Sequence, residues 1–151
     1  MTLFQKTIIP FTGTDNLSLD MTYDETKQYL RDCGIKYRVD FVSNKGCTPE
    51  VPWSIIRIDE KISLYYAKNK MFKIVFKEGY EGKTVNGIFI GMSITDAETI
   101  DPSLKYDDEN EDYTSDLGYW IDENPETSEV SNITVFIKEL LNEDVFFLYE
   151  W

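Results

Sequence analysis

The stretch Gly87-Ile-Phe-Ile-Gly-Met-Ser-Ile-Thr-Asp96 contains the clearest local structural signal in the chain. A short alternation of apolar residues leads to Ser93, which stands three residues before Asp96. This spacing is the Asp variant of a capping box, in which the serine oxygen accepts the amide of the third helical residue. It predicts a helix over residues 94–100, because Pro102 restricts the residue before it and cannot continue a helix.

The same pattern occurs earlier, in Leu17-Ser-Leu-Asp-Met-Thr-Tyr-Asp-Glu25. Here Thr22 stands three residues before Glu25, and the acid also favours the positive end of a helix. The pattern predicts a helix over about 23–33, with Gly34 as its C-terminal cap.

Runs of β-branched and aromatic residues bounded by polar turns follow each predicted helix and indicate strands. They cover residues 54–58, 62–66 and 71–76 after the first helix, and 118–121 and 130–137 after the second. The apolar C-terminal residues 145–151 predict a last strand that completes a sheet, since a loose apolar tail would favour aggregation.

The two halves of the chain therefore share an order of elements. We predict an α+β fold in a single domain, 1–151, made of two tandem similar units of about 1–82 and 83–151. Each unit would be a short capped helix packed on antiparallel strands, with residues 73–76 and 133–136 in matching places. The alternative is that two capped helices followed by hairpins arise in any α+β protein.

The sequence Ile90-Gly-Met-Ser93, followed by a short helix and antiparallel strands, resembles the repeat unit of the β-lactamase inhibitor proteins and of small outer-membrane assembly lipoproteins. The match is weaker at Leu19-Asp-Met-Thr22, where Asp20 replaces glycine. In the inhibitors, two such units stand in tandem and their sheets form one concave surface that grips a partner enzyme. The resemblance implies the same arrangement here.

Composition limits the classes of function. The chain is 42% hydrophobic and 15% aromatic, which is too rich for a disordered chain despite a net charge of −13. It has no histidine, so catalysis by a Ser-His-Asp or Cys-His pair is excluded, and ligands for a zinc site are scarce. We expect no cofactor, no metal site and no enzymatic activity.

The location of the protein also follows from composition. The N-terminus has no sustained apolar segment, and no apolar run approaches the roughly 18 residues of a membrane span. We expect no signal peptide, no membrane partner and a cytoplasmic protein in which the two cysteines are reduced. Whether Cys33 and Cys47 are paired stays open.

Negative charge is concentrated in one part of the chain. Residues 96–129 carry 13 acids and one base, whereas residues 1–95 carry 11 acids and 13 bases. Such a segment repels phosphate backbones, so nucleic acid is not an expected ligand. It indicates instead a surface that meets a positively charged protein.

Aromatic residues stand among these acids, as they do at protein interfaces. We predict a partner-binding surface in which the acidic residues accept hydrogen bonds and the aromatic residues act as anchors. The acids are Asp107, Asp108, Glu109, Glu111, Asp112, Asp116, Asp122 and Glu123, and the anchors are Tyr113, Tyr119 and Trp120.

This stretch allows three other interpretations. Asp108, Asn110 and Asp112 match the first positions of an EF-hand loop, but Tyr113 and Tyr119 stand where that loop needs glycine and a bidentate glutamate. A catalytic carboxylate pair is conceivable, although nothing in the sequence brings two acids together at the required separation. The third interpretation is a solvated charged loop.

The size of the chain, its Gly-Ile-Phe-Ile-Gly-Met-Ser sequence and its acidic aromatic segment together resemble the small acidic cytoplasmic immunity proteins of bacterial polymorphic or contact-dependent toxins. The resemblance implies a stoichiometric inhibitor whose partner is the cognate toxin domain. The charge leads us to expect a basic, nuclease-type toxin. The alternatives are a general protein-binding adaptor and a carboxylate-dependent enzyme.

Overall fold

The computed structural model describes residues 2–43 and 51–142 of the chain. Its helices are α1 (Tyr23–Asp32), α2 (Ile94–Ile100) and two 3₁₀ segments, Leu3–Gln5 and Lys138–Leu141. Its strands are β1 (Arg38–Val42), β2 (Trp53–Ile58), β3 (Ile62–Ala67), β4 (Lys70–Phe76), β5 (Lys105–Asp107), β6 (Asp112–Ser115), β7 (Tyr119–Asn124) and β8 (Glu129–Phe136).

The described strands form one antiparallel sheet in the order β1-β2-β3-β4-β8-β7-β6-β5. Each α-helix is followed by four strands, and strands that are consecutive within each group of four are hydrogen-bonded neighbours. The two groups meet where β4 pairs with β8, so that Lys73 lies opposite Phe136 and Phe76 lies opposite Ile133. The fold is thus a mixed helix and strand fold dominated by an antiparallel sheet.

Both helix starts have the predicted caps. The Thr22 hydroxyl accepts the Glu25 amide at 3.1 Å, and the Glu25 carboxylate accepts the Thr22 amide at 3.2 Å. The Ser93 hydroxyl accepts the Asp96 amide at 3.1 Å. Gly34 follows α1 with a φ of +67°, a conformation that favours glycine. The predicted helices are therefore confirmed, with α1 ending one residue earlier than expected.

The main hydrophobic core lies on one face of the sheet. Side chains alternate between the two faces along a strand, and fully buried Leu64 and Ile133 belong to the core face. Both α-helices pack there, through Leu30 of α1 and Ala97 of α2. Neither α-helix covers the opposite face, which we call the open face.

Five of the six predicted strands are confirmed with small shifts in their ends, and the described residues contain three more. The sequence analysis did not identify β1, β5 and β6, because these strands are short and contain few apolar residues, with one tyrosine each in β5 and β6. The alternative of a solvated, partly disordered charged loop is wrong for the residues of the acidic stretch that lie in β5, β6 and β7. The strand predicted over 145–151 and the cysteine at position 47 lie outside the described residues.

Among the described residues, no helix combines the length and apolar character that crossing a membrane requires.

Candidate functional site

Three carboxylates form a row across the second group of strands. Asp107 of β5 lies opposite Asp112 of β6. Thr114 of β6 pairs with Trp120 of β7. In the same antiparallel register Asp112, two residues before Thr114, lies beside Asp122, two residues after Trp120. Because side chains two residues apart share a face, these three aspartates and Trp120 all project from the open face. We call Asp107, Asp112 and Asp122 the acidic row.

The acidic row forms one side of a cavity of about 620 Å³ on the open face. Trp120 and Phe136 also line it, and the opposite side is lined by Trp53, Phe72 and Lys73 from the first group of strands. The cavity therefore exists only because β8 and β4 pair and bring the two groups together.

Trp120 presents a fixed aromatic surface in this cavity. Its ring stacks on that of Phe136, with a centroid separation of 4.8 Å and an interplanar angle of 24°. Phe136 is fully buried, whereas Trp120 is partly exposed. One side of the indole is thus occupied by Phe136, and the ring remains available to a ligand from the cavity.

Asp112 is an unusual carboxylate because it is only 6% exposed. Among the described residues, its one hydrogen bond comes from the Thr114 hydroxyl over a long 3.4 Å. Burial, followed by the negative charges of Asp122 and Asp107, raises the pKa of Asp112 to about 6. The folded structure therefore holds this carboxylate where its negative charge is poorly stabilised.

The other two members of the acidic row differ in environment. Burial raises the pKa of Asp122, although a 3.5 Å contact from the Asn132 amide and the charge of Lys73 oppose that change. Hydrogen bonds from the Asn110 side chain and from the backbone amides of Asn110 and Glu109 lower the pKa of Asp107. Asp107 is thus a stable anion beside two carboxylates that lack comparable support.

Lys73 is the cation nearest to this negative charge among the residues that line the cavity. Its Nζ lies 4.4 Å from the centre of the Tyr65 ring and 5.6 Å from that of the Trp53 ring. Burial lowers the pKa of Lys73, and Asp122 counteracts this effect. No ion pair within 4 Å joins Lys73 to a carboxylate in the described part of the chain. Its charge is directed mainly at aromatic rings.

On the open face of the first group of strands, the carboxylate of Asp40 has cationic partners within the protein. Asp40 of β1 accepts the Arg57 Nε at 2.5 Å and also lies 3.5 Å from Arg38. The hydrogen bond from Arg57 lowers the pKa of Asp40. The charge on this half of the open face is thus neutralised within the protein, in contrast to that of the acidic row.

The remaining predicted contact residues fall into separate places. Asp108, Glu109 and Glu111 are exposed in the turn between β5 and β6 and do not line the cavity, and Asp116 is exposed in the turn between β6 and β7. Tyr113 projects from the core face, where its ring packs against that of Tyr106 with a centroid separation of 5.1 Å. Glu123 interacts with Tyr113 on that side.

Tyr119, predicted as an anchor, is completely buried. Its hydroxyl donates to the Asp101 carboxylate at 2.5 Å, and the Ser115 hydroxyl donates to the same oxygen at 2.6 Å. Burial raises the pKa of Asp101, but hydrogen bonds from Ser103, Ser115 and Tyr119 outweigh this effect and lower it. Tyr119 thus supports the second group of strands from the core instead of offering a contact surface.

Sequence reasoning missed the cavity residues of the first group of strands. Lys73 is a lysine within the apolar run of β4, and this irregularity is the one local signal that could have drawn attention to it. Trp53 and Phe72 carry no such signal, because aromatic residues are common in strands.

The arrangement can bind a positively charged, partly apolar group. Carboxylates accept hydrogen bonds from cationic donors, and an indole surface attracts cations through its π system. Among residues 2–43 and 51–142, no three acidic or cysteine side chains are grouped so that they could hold a metal ion.

Comparison with known proteins adds no relative to this description: no family model matches the chain, no curated protein matches it, and no solved structure matches it.

Proposed function

We propose that this protein is an immunity protein, which binds a basic bacterial toxin of the nuclease type in the cytoplasm and neutralises it. The observation that carries the proposal is the acidic row on the open face. Asp112 and Asp122 lie beside a fixed indole ring, and neither forms an ion pair within 4 Å in the described part of the chain. Carboxylates that a fold leaves without cationic partners favour a cationic partner from outside.

The physical basis is electrostatic complementarity. A nuclease cleft is positive because it must bind phosphates. Residues 96–129, which carry 13 acids and one base, contain the acidic row together with the neighbouring turn residues Asp108, Glu109 and Glu111. Such a field accelerates the encounter with a basic surface, which is valuable when a toxin must be stopped before it acts.

The aromatic residues of the cavity provide the other part of the interface. Interfaces concentrate tryptophan and tyrosine in central contacts that exclude water. Trp120, Trp53 and Phe72 line the same cavity as the acidic row. They would supply apolar contact area, so that the complex does not depend on charge alone.

The proposal includes the two-unit organisation, with related units of about 1–82 and 83–151. Thr22, the first cap, forms a bridge to Lys70 at the start of β4, and Ser93, the second cap, forms one to Glu129 at the start of β8. If residues 73–76 are superposed on residues 133–136, Lys73 takes the place of Ile133 and Phe76 that of Phe136. The pair Lys73–Phe136 then becomes the pair Ile133–Phe76, and the reverse also holds. This interchange is expected if a two-fold axis relates two similar units.

The test is binding to the toxic C-terminal domain encoded by the gene next to this one, measured by calorimetry at low and high salt. We expect binding that weakens as salt rises and that is lost in Asp112→Lys/Asp122→Lys. The matched control is Asp32→Lys/Glu126→Lys, which makes the same charge change at exposed positions outside the cavity. It should retain most of the affinity.

If both double variants lost affinity equally, the loss would come from the change in net charge, and the acidic row would not be the binding surface. Salt-independent binding would contradict the electrostatic basis. Binding to a basic protein without toxicity would favour the adaptor alternative, and turnover of a substrate that one carboxylate controls would favour an enzyme.

A further inference from the structure

The cavity on the open face is lined by carboxylates on one side and by aromatic rings on the other. This combination indicates which kind of side chain of a partner would fit the cavity. We propose that the cavity receives one arginine side chain of the protein partner, whose guanidinium stacks on Trp120 and donates to Asp112 and Asp122. This inference rests on the proposed function, since it names the contact through which the basic partner is recognised.

The first support is that Asp112 lacks a partner of adequate strength. A carboxylate that is 6% exposed normally has charged or multiple hydrogen-bonding partners. In the described structure Asp112 has the 3.4 Å contact from Thr114, and it borders a cavity instead of packed protein. The cavity is therefore the side from which the missing donor can come.

The second support is the comparison with Asp40 on the same face. There the fold itself supplies two guanidinium groups, from Arg57 at 2.5 Å and Arg38 at 3.5 Å. The same chemistry applied to Asp112 and Asp122 requires a guanidinium from another molecule. Among the described residues, the one hydrogen bond to the Asp122 carboxylate is the 3.5 Å contact from the Asn132 amide.

The third support distinguishes arginine from lysine. A guanidinium is planar, it is more weakly hydrated than an ammonium, and it can donate to two carboxylates while its plane stacks on an aromatic ring. Trp120 stands two residues from Asp122 on the same strand and face, with its ring already held against Phe136. An ammonium would gain the charge interaction but not the stacking or the fork of parallel donors.

Lys73 limits the cavity to one such group. Its ammonium is held among Tyr65, Trp53 and Phe72 on the side opposite the acidic row. A second cation placed on that side would be repelled by Lys73. The single guanidinium is thus directed towards Asp112 and Asp122.

The experiment uses a blocked tripeptide, acetyl-Gly-Arg-Gly-amide, with acetyl-Gly-Lys-Gly-amide as its matched control. Binding to the full chain is followed through the Trp120 indole N–H resonance, which Trp120→Phe identifies. We expect the arginine peptide to shift this resonance and to bind about fivefold or more tightly than the lysine peptide. Asp112→Asn and Asp122→Asn should each weaken arginine binding by about tenfold.

Asp108→Asn is the control for charge, because it removes one carboxylate from the adjacent exposed turn. It should change binding of the arginine peptide less than twofold. Asn at position 112 is isosteric with the native aspartate, so a folded variant is expected. Thermal unfolding of each variant checks this point. Trp120→Leu tests the stacking contact separately, with binding followed through the backbone amide resonances of the cavity residues, and it should bring arginine binding close to that of lysine.

Equal affinity for the two peptides, or equal weakening by Asp108→Asn and Asp112→Asn, would overturn the inference. The proposed function would still stand if Asp112→Lys/Asp122→Lys abolished salt-dependent binding of the toxin domain. Conversely, arginine selectivity without any binding of that domain would contradict the proposed function and leave the cavity assignment intact.

Discussion

Lys73 of β4 lies directly opposite Phe136 of β8, and this pair joins the two halves of the sheet. Phe136 also stacks on Trp120, while Lys73 lies among the aromatic residues of the first half. The pairing therefore brings the cationic side and the indole surface of one cavity together.

Replacing Asp108, Glu111 and Asp112 together with lysine should weaken binding of the proposed toxin partner by several kcal/mol, because attraction becomes repulsion over the same surface. Asp108 and Glu111 are exposed, so replacing them relieves repulsion within the acidic segment without a folding cost, whereas Asp112 is buried and a lysine there should lower stability because its ammonium is desolvated. Calorimetric titration and thermal unfolding measure the two effects. Lys68→Glu, a charge reversal in the first half, should change binding much less.

That triple variant also has a biological readout. Under the proposed function, cells that express it at the normal level should lose protection against the toxin. If they stay protected, the acidic turn and Asp112 are not the interface, and the remainder of the open face becomes the better candidate.

Asp112→Asn should stabilise the free protein at pH 7 by about 1 kcal/mol. This value is smaller than the full change in pKa would give, because solvent in the cavity screens part of the charge. The usual pKa of 3.8 rises to about 6 on folding. Folded protein therefore binds this proton more tightly than unfolded protein, and acidification from about pH 6 to about pH 4 stabilises the fold.

Asp112→Asn should remove most of the stability that the protein gains between about pH 6 and about pH 4. Chemical denaturation at pH 4, 5, 6 and 7 measures it, and the residual effect belongs to Asp122, whose pKa is also raised. An unchanged profile in Asp112→Asn would show that Asp112 does not titrate in this range.

Asp101→Asn should have the opposite effect on stability, lowering the free energy of unfolding by about 2 kcal/mol at pH 7. Its carboxylate accepts hydrogen bonds from Ser103, Ser115 and Tyr119 in the core. Because folding lowers the pKa of Asp101, its contribution is present above the unfolded pKa and disappears as pH falls through the folded value.

Urea unfolding at pH 7 and at pH 3 checks this prediction. Tyr119→Phe removes one donor and keeps the ring, so it should cost about 1 kcal/mol. A larger loss in Tyr119→Phe than in Asp101→Asn would contradict the central position of the carboxylate in this group.

The two helix caps should be energetically equivalent if the halves are related units. Thr22→Ala and Ser93→Ala should each cost about 1 kcal/mol, since each removes the acceptor of one helix amide. Thermal unfolding measures both, with Thr95→Ala on the exposed surface of α2 as a control of small effect. A negligible cost at one cap would argue against equivalent roles.

An experimental structure tests the relationship directly. Superposing residues 17–76 on residues 88–136 should pair the two caps and the two strands β4 and β8. Unrelated paths of these segments would rule out the tandem units.

Local patterns in the sequence were sufficient for the elements that depend on neighbours in the chain. The spacings Thr22-x-x-Glu25 and Ser93-x-x-Asp96 predicted both helix starts, because capping involves residues within one turn. Pro102 and Gly34 marked where the helices end. The apolar strands were predicted for the same reason, since alternation and turn residues are local properties.

The candidate site was predictable only in part. The charge count located the acidic stretch, but it could not separate Asp112 and Asp122, which line the cavity, from Asp116, which does not. The strands β5 and β6 were missed because they have three and four residues and only one tyrosine each, too short a segment for an alternation to be recognised. Tyr119 and Trp120 are adjacent and chemically similar, yet they point to opposite faces of the sheet, one into the core and one into the cavity.

The sequence by itself thus determined two capped helices, most strands and a strongly acidic segment. Only the tertiary structure decided which carboxylates form the acidic row and that Lys73, Trp53 and Phe72 face them. The physical reason is that strand register and the β4–β8 pairing depend on contacts between residues distant in sequence. A shift of one residue in register would move each of these side chains to the other face of the sheet.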